Sequence, residues 1–587
     1  MNFKLKNPIN PNYDTTTQIL TNRGIKEEDI QHYLYPTGND LYAPELLGED
    51  KLKAAVEFID DVINNNHKTM VVVDCDADGF CSSAILINYL TDLNKDFVVN
   101  NIKWYLHDDK THGLKDCFQF AIDHNYTRIF VPDAASNDDE YFEKLKENGI
   151  KVLVMDHHLV EGNVYQGDNA IIINNQLCDY PNKELCGGGV VYKVLNYYDR
   201  VKQLDYANYY LDLVALANIS DMMSMLSIET HYLAQLGIQK ENLHNPFFYG
   251  MVEHNKFKLG DVLSPIKVAF YVTPFINAMC RSGTLEEKDL LFQSMLKIHA
   301  FDKVISTGRD DKGRETDRVS EAIRTAIRVK NRQTKAQDEA VLRLEKKIKD
   351  EGLLKNKVLL LLVKPEDNID PNVRGLIANK LMAKYQRPCA ILTLTQNENG
   401  EDIYAGSMRG YTATGIEDFK KICEEAGVGA TCIGHQNAAG LMFSADRVND
   451  FINNTNELLK NISSDIIISC DYLFDNETID ENILIDIGYL STIWGQDMPE
   501  PLIGLKDIKV YPENVMVMKD KHLKLMIGSV PCIKFFAEDL INKLRTEDGC
   551  VTIDAVGKAN LNVWMGQQSG QLLLDDVEIK DREEYLF

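Results

Sequence analysis

A chain of 587 residues exceeds what one hydrophobic core serves, so three or four domains are expected. Its 44% hydrophobic and 26% charged residues are ordinary for a globular protein, and a formal charge of −26 excludes a general nucleic-acid coat protein. No apolar run nears the roughly 20 residues of a membrane span, so no membrane partner is expected. The opening Met1–Pro8 lacks the apolar stretch of a secretion signal, and the twelve cysteines form no CxxC pair. Reduced thiols and a cytoplasmic location follow as expectations.

Residues 1–69 read as a helical preamble, with one helix near 18–25 and a longer one over 52–64. In the second, Ala55, Val56, Ile59, Val62 and Ile63 recur at helical spacing and give a packing face. The next stretch, Met70-Val71-Val72-Val73-Asp74-Cys75-Asp76-Ala77-Asp78-Gly79, opens with four apolar, mostly β-branched residues. They read as a buried strand of a parallel sheet. Alternation along an extended chain would turn Asp74, Asp76 and Asp78 to one side, where like charges repel. A divalent cation with hard oxygen ligands, Mg²⁺ or Mn²⁺, removes that conflict. An acidic turn that caps a helix starting near Ser82 is the alternative.

Residues 128–133 form a second apolar segment ending in Asp133, and 152–158 a third ending in Asp156-His157-His158. Helical stretches between them predict β–α alternation and a parallel sheet. A fourth apolar segment, 211–220, ends in Asp221 and is grouped with the strand ends. Together Asp76, Asp78, Asp133, His157 and Asp221 make an oxygen and nitrogen shell suited to two divalent ions. Taken singly, each Asp is equally a helix cap and the histidine pair a polar loop.

These residues, with Leu185-Cys186-Gly187-Gly188-Gly189, Ala217-Asn218-Ile219-Ser220-Asp221 and Pro274-x-Ile276-Asn277-Ala278-x-x-Arg281, resemble the motifs of the DHH phosphoesterases. Within them the match is to the RecJ-type single-strand DNA exonucleases, and it extends to Leu20-Thr21-Asn22-Arg23-Gly24-Ile25.

Residues 315–351 carry no Gly or Pro and read as one long helix joining two lobes. Its charge is inverted relative to the whole chain. Arg324, Arg328, Lys330, Arg332 and Lys335 either face phosphates or form ordinary ion pairs along a solvated helix. A second α/β lobe follows, with a strand at 357–363, a helix at 373–384 and a strand at 389–394. Its Gly406-Ser407-Met408-Arg409 and Gly434-His435-Gln436-Asn437-Ala438-Ala439-Gly440 resemble the family's DHHA1 motifs, which contact the substrate end. The resemblance implies that Ser407, Arg409, His435 and Gly440, with Asn277 and Arg281, bind substrate and its 5′ phosphate. Beyond about 465, strand-like runs at 465–470, 508–511, 522–527, 550–556 and 571–577 predict a small β-barrel. It resembles the RecJ oligonucleotide-binding (OB) fold through Trp494-Gly495-x-x-x-Pro499-Glu500-Pro501 and His522-Leu523-Lys524-Leu525. Tyr511, Phe535, Phe536 and Trp564 are the candidate base-stacking residues, with barrel-core packing expected for most.

The expected architecture is therefore α/β: preamble 1–69, DHH lobe 70–314, linker helix 315–352, DHHA1 lobe 353–455 and OB-like domain 460–587. The resemblance implies release of mononucleotides from the 5′ end of single-stranded DNA, which passes between the lobes, with two Mn²⁺ or Mg²⁺ ions. Asp133 is the expected bridging ligand, Asp74 and Asp156 orient ligands, and His158 faces the scissile phosphate. A single-strand-binding protein or a helicase is a candidate partner, in DNA repair, recombination or replication. A phosphodiesterase of short oligoribonucleotides or cyclic dinucleotides, and an inert single-strand-binding scaffold, are the competing readings. The chain departs from the family pattern at Cys280, at Ala134-Ala135, at Ile433 before Gly434-His435, at Thr111-His112-Gly113-Leu114 and at Asp370-Pro371-Asn372-Val373. Such drift within a complete architecture suits a divergent member, a viral one included.

Overall fold

The computed structural model describes residues 1–583 except 109–110, 161, 163, 310, 368, 463–466, 476–478 and 546–549. The chain forms two compact units, Arg23–Asn331 with Leu490–Glu500, and Met1–Asn22 with Arg332–Tyr489 and Pro501–Phe587.

The first unit is built on a five-stranded parallel sheet. From one edge the strands are Ile102–Leu106, Thr69–Val73, Arg128–Pro132, Lys151–Asp156 and Ala170–Asn174. All five residues of Thr69–Val73 are buried, as a β-branched run covered on both faces should be. Numbered along the chain, the order is 2-1-3-4-5, and it reverses direction between Thr69–Val73 and Arg128–Pro132. Open α/β sheets bind ligands beyond the carboxyl ends of such a pair of strands. Asp74 and Asp133 are the first residues past those two ends.

Three elements differ from the sequence expectation. The helix after the first strand is Ala77–Leu93, starting five residues before Ser82, with Asp76 as its N-cap. Asp78 therefore lies in a helical first turn, and the extended alternation expected to align the three acids stops at Asp76. Asp221 follows a helix, Leu211–Ser220, and not a strand. Ten residues apolar on all sides suit either buried element, and here burial of Leu211 through Ile219 settles it as a core helix. The long helix begins at Arg318, after a short strand Glu315–Asp317 paired with Lys303–Ile305.

In the second unit, a five-stranded mixed sheet runs Thr431–His435, Ala438–Ser444, Asp402–Arg409, Cys389–Gln396, Leu359–Val363. One face packs Met408, Phe419, Leu441, Phe443 and Phe451 into a core. The other packs Leu361, Cys389 and Ile391 against the helix Arg374–Tyr385 and the carboxyl-terminal part of the long helix. A seven-stranded sheet forms from Tyr472–Asp475, Leu502–Val510, Cys550–Trp564, Gln567–Glu583, Val530–Lys534, His522–Ile527 and Val515–Met518, in that order. The preamble is not wholly helical: Asn2–Leu5 is a strand that pairs in parallel with Ile467–Cys470. Four residues at a chain end carry too little pattern to announce a strand whose partner lies hundreds of residues away. In the other unit Arg23 donates to the Pro499 carbonyl at 2.8 Å and lies over the Trp494 ring.

Candidate metal centre and phosphate-binding face

Past the strand ends the acids converge. Asp133 follows Pro132 with φ +68°, a left-handed turn at the strand's end. It is 1% exposed, and neither of its oxygens has a hydrogen-bond partner; nor does Nε2 of the buried His157. His157 Nε2 lies 3.2 Å from Asp133 Oδ1, 3.5 Å from Asp221 Oδ2 and 3.8 Å from Asp78 Oδ2. Orphaned buried polar atoms of this kind are costly and rare.

Asp78, Asp76, Asp156 and Asp74 are held by hydrogen bonds. Asp78 accepts from Ser82 Oγ at 3.0 Å, from the Gly187 N–H at 2.8 Å and from the Gly188 N–H at 2.9 Å. Those two amides open the helix Gly187–Lys202, whose amino end favours a carboxylate. The glycines are required by space. A Cβ on Gly187 would stand 2.3 Å from Asp133 Oδ1, and one on Gly79 would stand 2.5 Å from Asp74 Cβ. Asp76 accepts from the Gly79 N–H at 3.0 Å. Asp156 takes the N–H groups of His157 at 2.7 Å and Ser136 at 3.0 Å, and Nδ1 of His158 at 2.8 Å. Asn174 Nδ2 fixes this corner through Ser136 Oγ and the His158 carbonyl, both at 2.9 Å. Asp74, 1% exposed, is met by His112 Nδ1 at 2.8 Å from each oxygen.

Electrostatics follow from this crowding. Burial, with the charges of Asp74 and Asp78, pushes Asp76 up to about 6. Burial, with Asp78 and Asp76, pushes Asp221 up to about 8, and Asp133 is raised well above the carboxylate range for the same reasons. Asp156 goes the other way, because the bonds from His158 and Ser136 outweigh its burial. Burial lowers His157 and keeps its ring neutral, the form that ligates a cation. Burial alone would lower His158, but its bond to Asp156 lifts it to about 9. Without a cation the cluster must hold protons to relieve its repulsion. Three overlapping groups of donor atoms, each within 4.8 Å, fit a metal: Asp133-His157-His158, Asp78-His157-Asp221 and Asp74-Asp76-Asp133. Asp133 belongs to two of the three. Asp76, Asp78, Asp133, His157 and Asp221 thus lie in one cluster, although only two of the four acid-bearing segments' ends flank the switch in strand order.

Asn277 and Arg281 lie on the helix Thr273–Ser282. Cys75, between Asp74 and Asp76, donates from Sγ to the Cys280 carbonyl at 3.2 Å, which ties this helix end to the acidic loop.

The remaining expected residues share one face of the second unit's mixed sheet. Ser407 pairs with Gly440, and Arg409 with Ala438, which also pairs with His435. Residues two apart on a strand, and those directly opposite across strands, point the same way. Ser407, Arg409, His435 and Gly440 therefore occupy a single surface, floored by Ala438 and Gly440. Arg409 lies against the amino end of the helix Arg374–Tyr385, where a Cβ on Gly375 would stand 2.3 Å from its Nη2.

Elsewhere the structure decides between readings left open. Arg324 pairs with Glu321 at 3.0 Å and Asp311 at 3.3 Å, and Arg328 bonds Thr307 Oγ1 at 2.7 Å. These two cations of the long helix are engaged within their own unit. Phe535 and Phe536 are 51% and 71% exposed, with His522 edge-on to both and Lys521 over Phe536. They are surface aromatics and not core. Tyr511 is half-buried, and the Trp564 side chain lies outside the described residues. No helix among the described residues is long and apolar enough to cross a membrane.

Sequence reasoning missed His112, Ser82, Ser136, Asn174 and the Gly187 and Gly188 amides as parts of this site. The Gly-Gly-Gly run and the Thr-His-Gly-Leu turn were the available signals.

Comparison with known proteins places these motifs in a family. Family models match over residues 68–218 (DHH family, N-terminal domain), 355–461 (DHHA1 domain) and 470–576 (RecJ OB domain). A Bacillus subtilis protein named as an SPbeta prophage-derived single-strand DNA-specific exonuclease, YorK, is 30% identical over 590 residues, covering 99% of this chain and 98% of its own. The single-stranded-DNA-specific exonuclease RecJ of Bacillus subtilis is 24% identical over 96% of this chain and 68% of its own. Among solved structures, RecJ of Thermus thermophilus in complex with Mn²⁺ superposes with a TM-score of 0.69 at 18% identity, over 97% of this chain and 76% of that one. The same protein in complex with Mg²⁺ gives 0.60 at 17% identity.

Proposed function

The chain belongs to the RecJ and YorK family of DHH phosphoesterases, and from that premise we propose a metal-dependent exonuclease that removes mononucleotides from the 5′ end of single-stranded DNA. The observation that carries this reading is the buried set of partnerless donors, both oxygens of Asp133 and Nε2 of His157, ringed by further acids.

In this reading Asp76, Asp78, Asp133, His157 and Asp221 would hold two Mn²⁺ or Mg²⁺ ions, Asp133 being the carboxylate common to two of the three donor groups. When bound, such ions lower the pKa of water, polarise a phosphoryl oxygen and stabilise the leaving oxygen. Gly187 and Gly188 fix both oxygens of Asp78 through their amides, so that ligand needs no reorganisation as substrate arrives. Asp156 orients the His157-His158 backbone and keeps the His158 ring charged beside the reacting phosphate. Asp74 steadies the loop from behind. Arg281 and Asn277 meet the strand near the acids. Ser407, Arg409, His435 and Gly440 receive its 5′ phosphate on a surface flat enough for close approach. His522, Phe535, Phe536 and Lys521 offer stacking faces and charge for the following bases. Residues 70–314 then act as the catalytic lobe, 353–455 as the end-binding lobe, joined by a linker helix at 315–352, and 460–587 as the strand-binding domain.

The test is incubation with Mn²⁺ and single-stranded DNA labelled at either end, beside short RNA and duplex controls. Progressive release of the 5′ label as mononucleotide is expected. Cleavage confined to short RNA, or binding without products, refutes the proposal.

A further inference from the structure

Two histidines flank the acidic cluster, held in the same way. His158 Nδ1 lies 2.8 Å from Asp156 Oδ1, and His112 Nδ1 lies 2.8 Å from both oxygens of Asp74. Each carboxylate is buried at 1% exposure, while the rings are 48% and 58% exposed. Ring centroids are 6.3 Å apart, with planes inclined at 60°. In both rings Nδ1 is spent on the carboxylate, which leaves Nε2 as the nitrogen that can serve a ligand.

The His112 ring is anchored on both sides of its loop. Leu114 is fully buried, and its N–H reaches Asp138 Oδ2 at 2.7 Å. Gly113 sits at φ +69° with its missing Cβ only 2.3 Å from the same oxygen. At the loop's start the buried Lys288 donates to the His107 carbonyl at 2.9 Å and to the Asp108 carbonyl at 2.7 Å. An exposed histidine has no need of such support for packing. A ring that must meet a reacting group does.

We propose that His112 is a second phosphate-contacting residue of the catalytic centre, gripping the scissile phosphate through Nε2 opposite His158. The inference rests on the nuclease reading. Asp74 engages Nδ1 and fixes the ring as Asp156 does for His158, so one phosphate between the rings meets Nε2 of both histidines. Asp74 gains a role as well: it orients His112 in addition to backing the acidic loop.

Two amides separate holding Asp74 from touching substrate. In His112→Asn the side-chain amide reproduces Nδ1 and keeps the Asp74 bond; in His112→Gln it reaches the Nε2 position. Single-turnover and steady-state cleavage of 5′-labelled single-stranded DNA in Mn²⁺ are measured for wild type, both variants, His158→Asn and the double Asn variant, with melting temperatures. We expect H112N to lose on the order of 10² in kcat, as for removal of one oxyanion donor, with KM and melting temperature little changed. H112Q should retain more activity than H112N, and the double variant should lose less than the product of the single losses, because both rings serve one phosphate. Wild-type kcat in H112N, or equal losses in H112N and H112Q, overturns the proposal while leaving the nuclease reading intact. A wild-type chain that cleaves no single strand overturns both.

Discussion

Gly187→Ala adds one methyl group at the tightest point of the metal centre. Its Cβ would stand 2.3 Å from Asp133 Oδ1, 2.6 Å from Asp133 Cβ and 2.7 Å from Asp133 Cγ. Ordinary contact is about 3.5 Å, so something must yield by about 1 Å. The amide of the same residue holds Asp78 Oδ2 at 2.8 Å, so a retreat of the helix would release a second acid. The Asp133 carboxylate is the softer side, since neither of its oxygens accepts a hydrogen bond. A misplacement of about 1 Å at a reacting centre costs roughly 10²-fold in rate. Gly188→Ala is the internal comparison: its Cβ meets Ala217 Cβ at 2.8 Å but Asp78 Oδ1 only at 3.3 Å. The assay is Mn²⁺-dependent release of the 5′ label, with unfolding in urea measured in parallel. G187A should lose roughly 10²-fold in kcat while destabilising the fold by about 1–3 kcal/mol, the usual cost of overpacking. G188A should be impaired mainly in stability. A fully active, folded G187A would refute the reasoning, because Asp133 could not then need the place it occupies.

Asp133→Asn removes a buried charge that burial and its acidic neighbours oppose, so in EDTA the variant should melt higher than wild type, while turnover in Mn²⁺ falls at least 10³-fold. Glu229→Ala should destabilise by about 3–5 kcal/mol in denaturant titrations, since it strands the buried Lys193, now 2.6 Å from Glu229, and the Tyr180 and Asn182 donors. Burial depresses His231 to about 4 in the fold, against 6.5 when unfolded, so the unfolded chain binds the extra proton in between. Stability from this group is complete above pH 6.5 and lost as pH falls toward 4. Wild type should therefore lose about 2 kcal/mol more than His231→Phe between pH 7 and pH 5 in urea melts. Arg409→Ala should narrow the preference for 5′-phosphorylated over 5′-hydroxyl ends in the exonuclease assay, without changing Mn²⁺ affinity.

The acids were legible because strand ends announce themselves: β-branched runs such as Val71-Val72-Val73 stop abruptly at a carboxylate, and the chain can do little else there. Asp221 was found for a partly mistaken reason. An apolar run with no polar face does not distinguish buried helix from buried strand, and only packing decides. The Ser407-Arg409-His435-Gly440 face was readable as motifs. That the four share a side follows from strand register, which is a pairing between distant segments. The same holds for His112 on Asp74, the Gly187 amide on Asp78 and Asn2–Leu5 beside Ile467–Cys470. Phe535 and Phe536 stood among the four candidate stackers, and their exposure singles them out, because they fall in the bend after Val530–Lys534 and not inside a strand.

Direct titration of the full chain with Mn²⁺, by calorimetry after removal of bound metal with EDTA, tests the two-cation centre most simply. Two ions per chain are expected for the wild type, with protons released on binding because raised carboxyls must ionise. In Asp133→Ala at least one site should be lost, since the proposal has this carboxylate serve both ions. Fewer than two ions in the wild type, or two undiminished sites in the variant, would contradict the account.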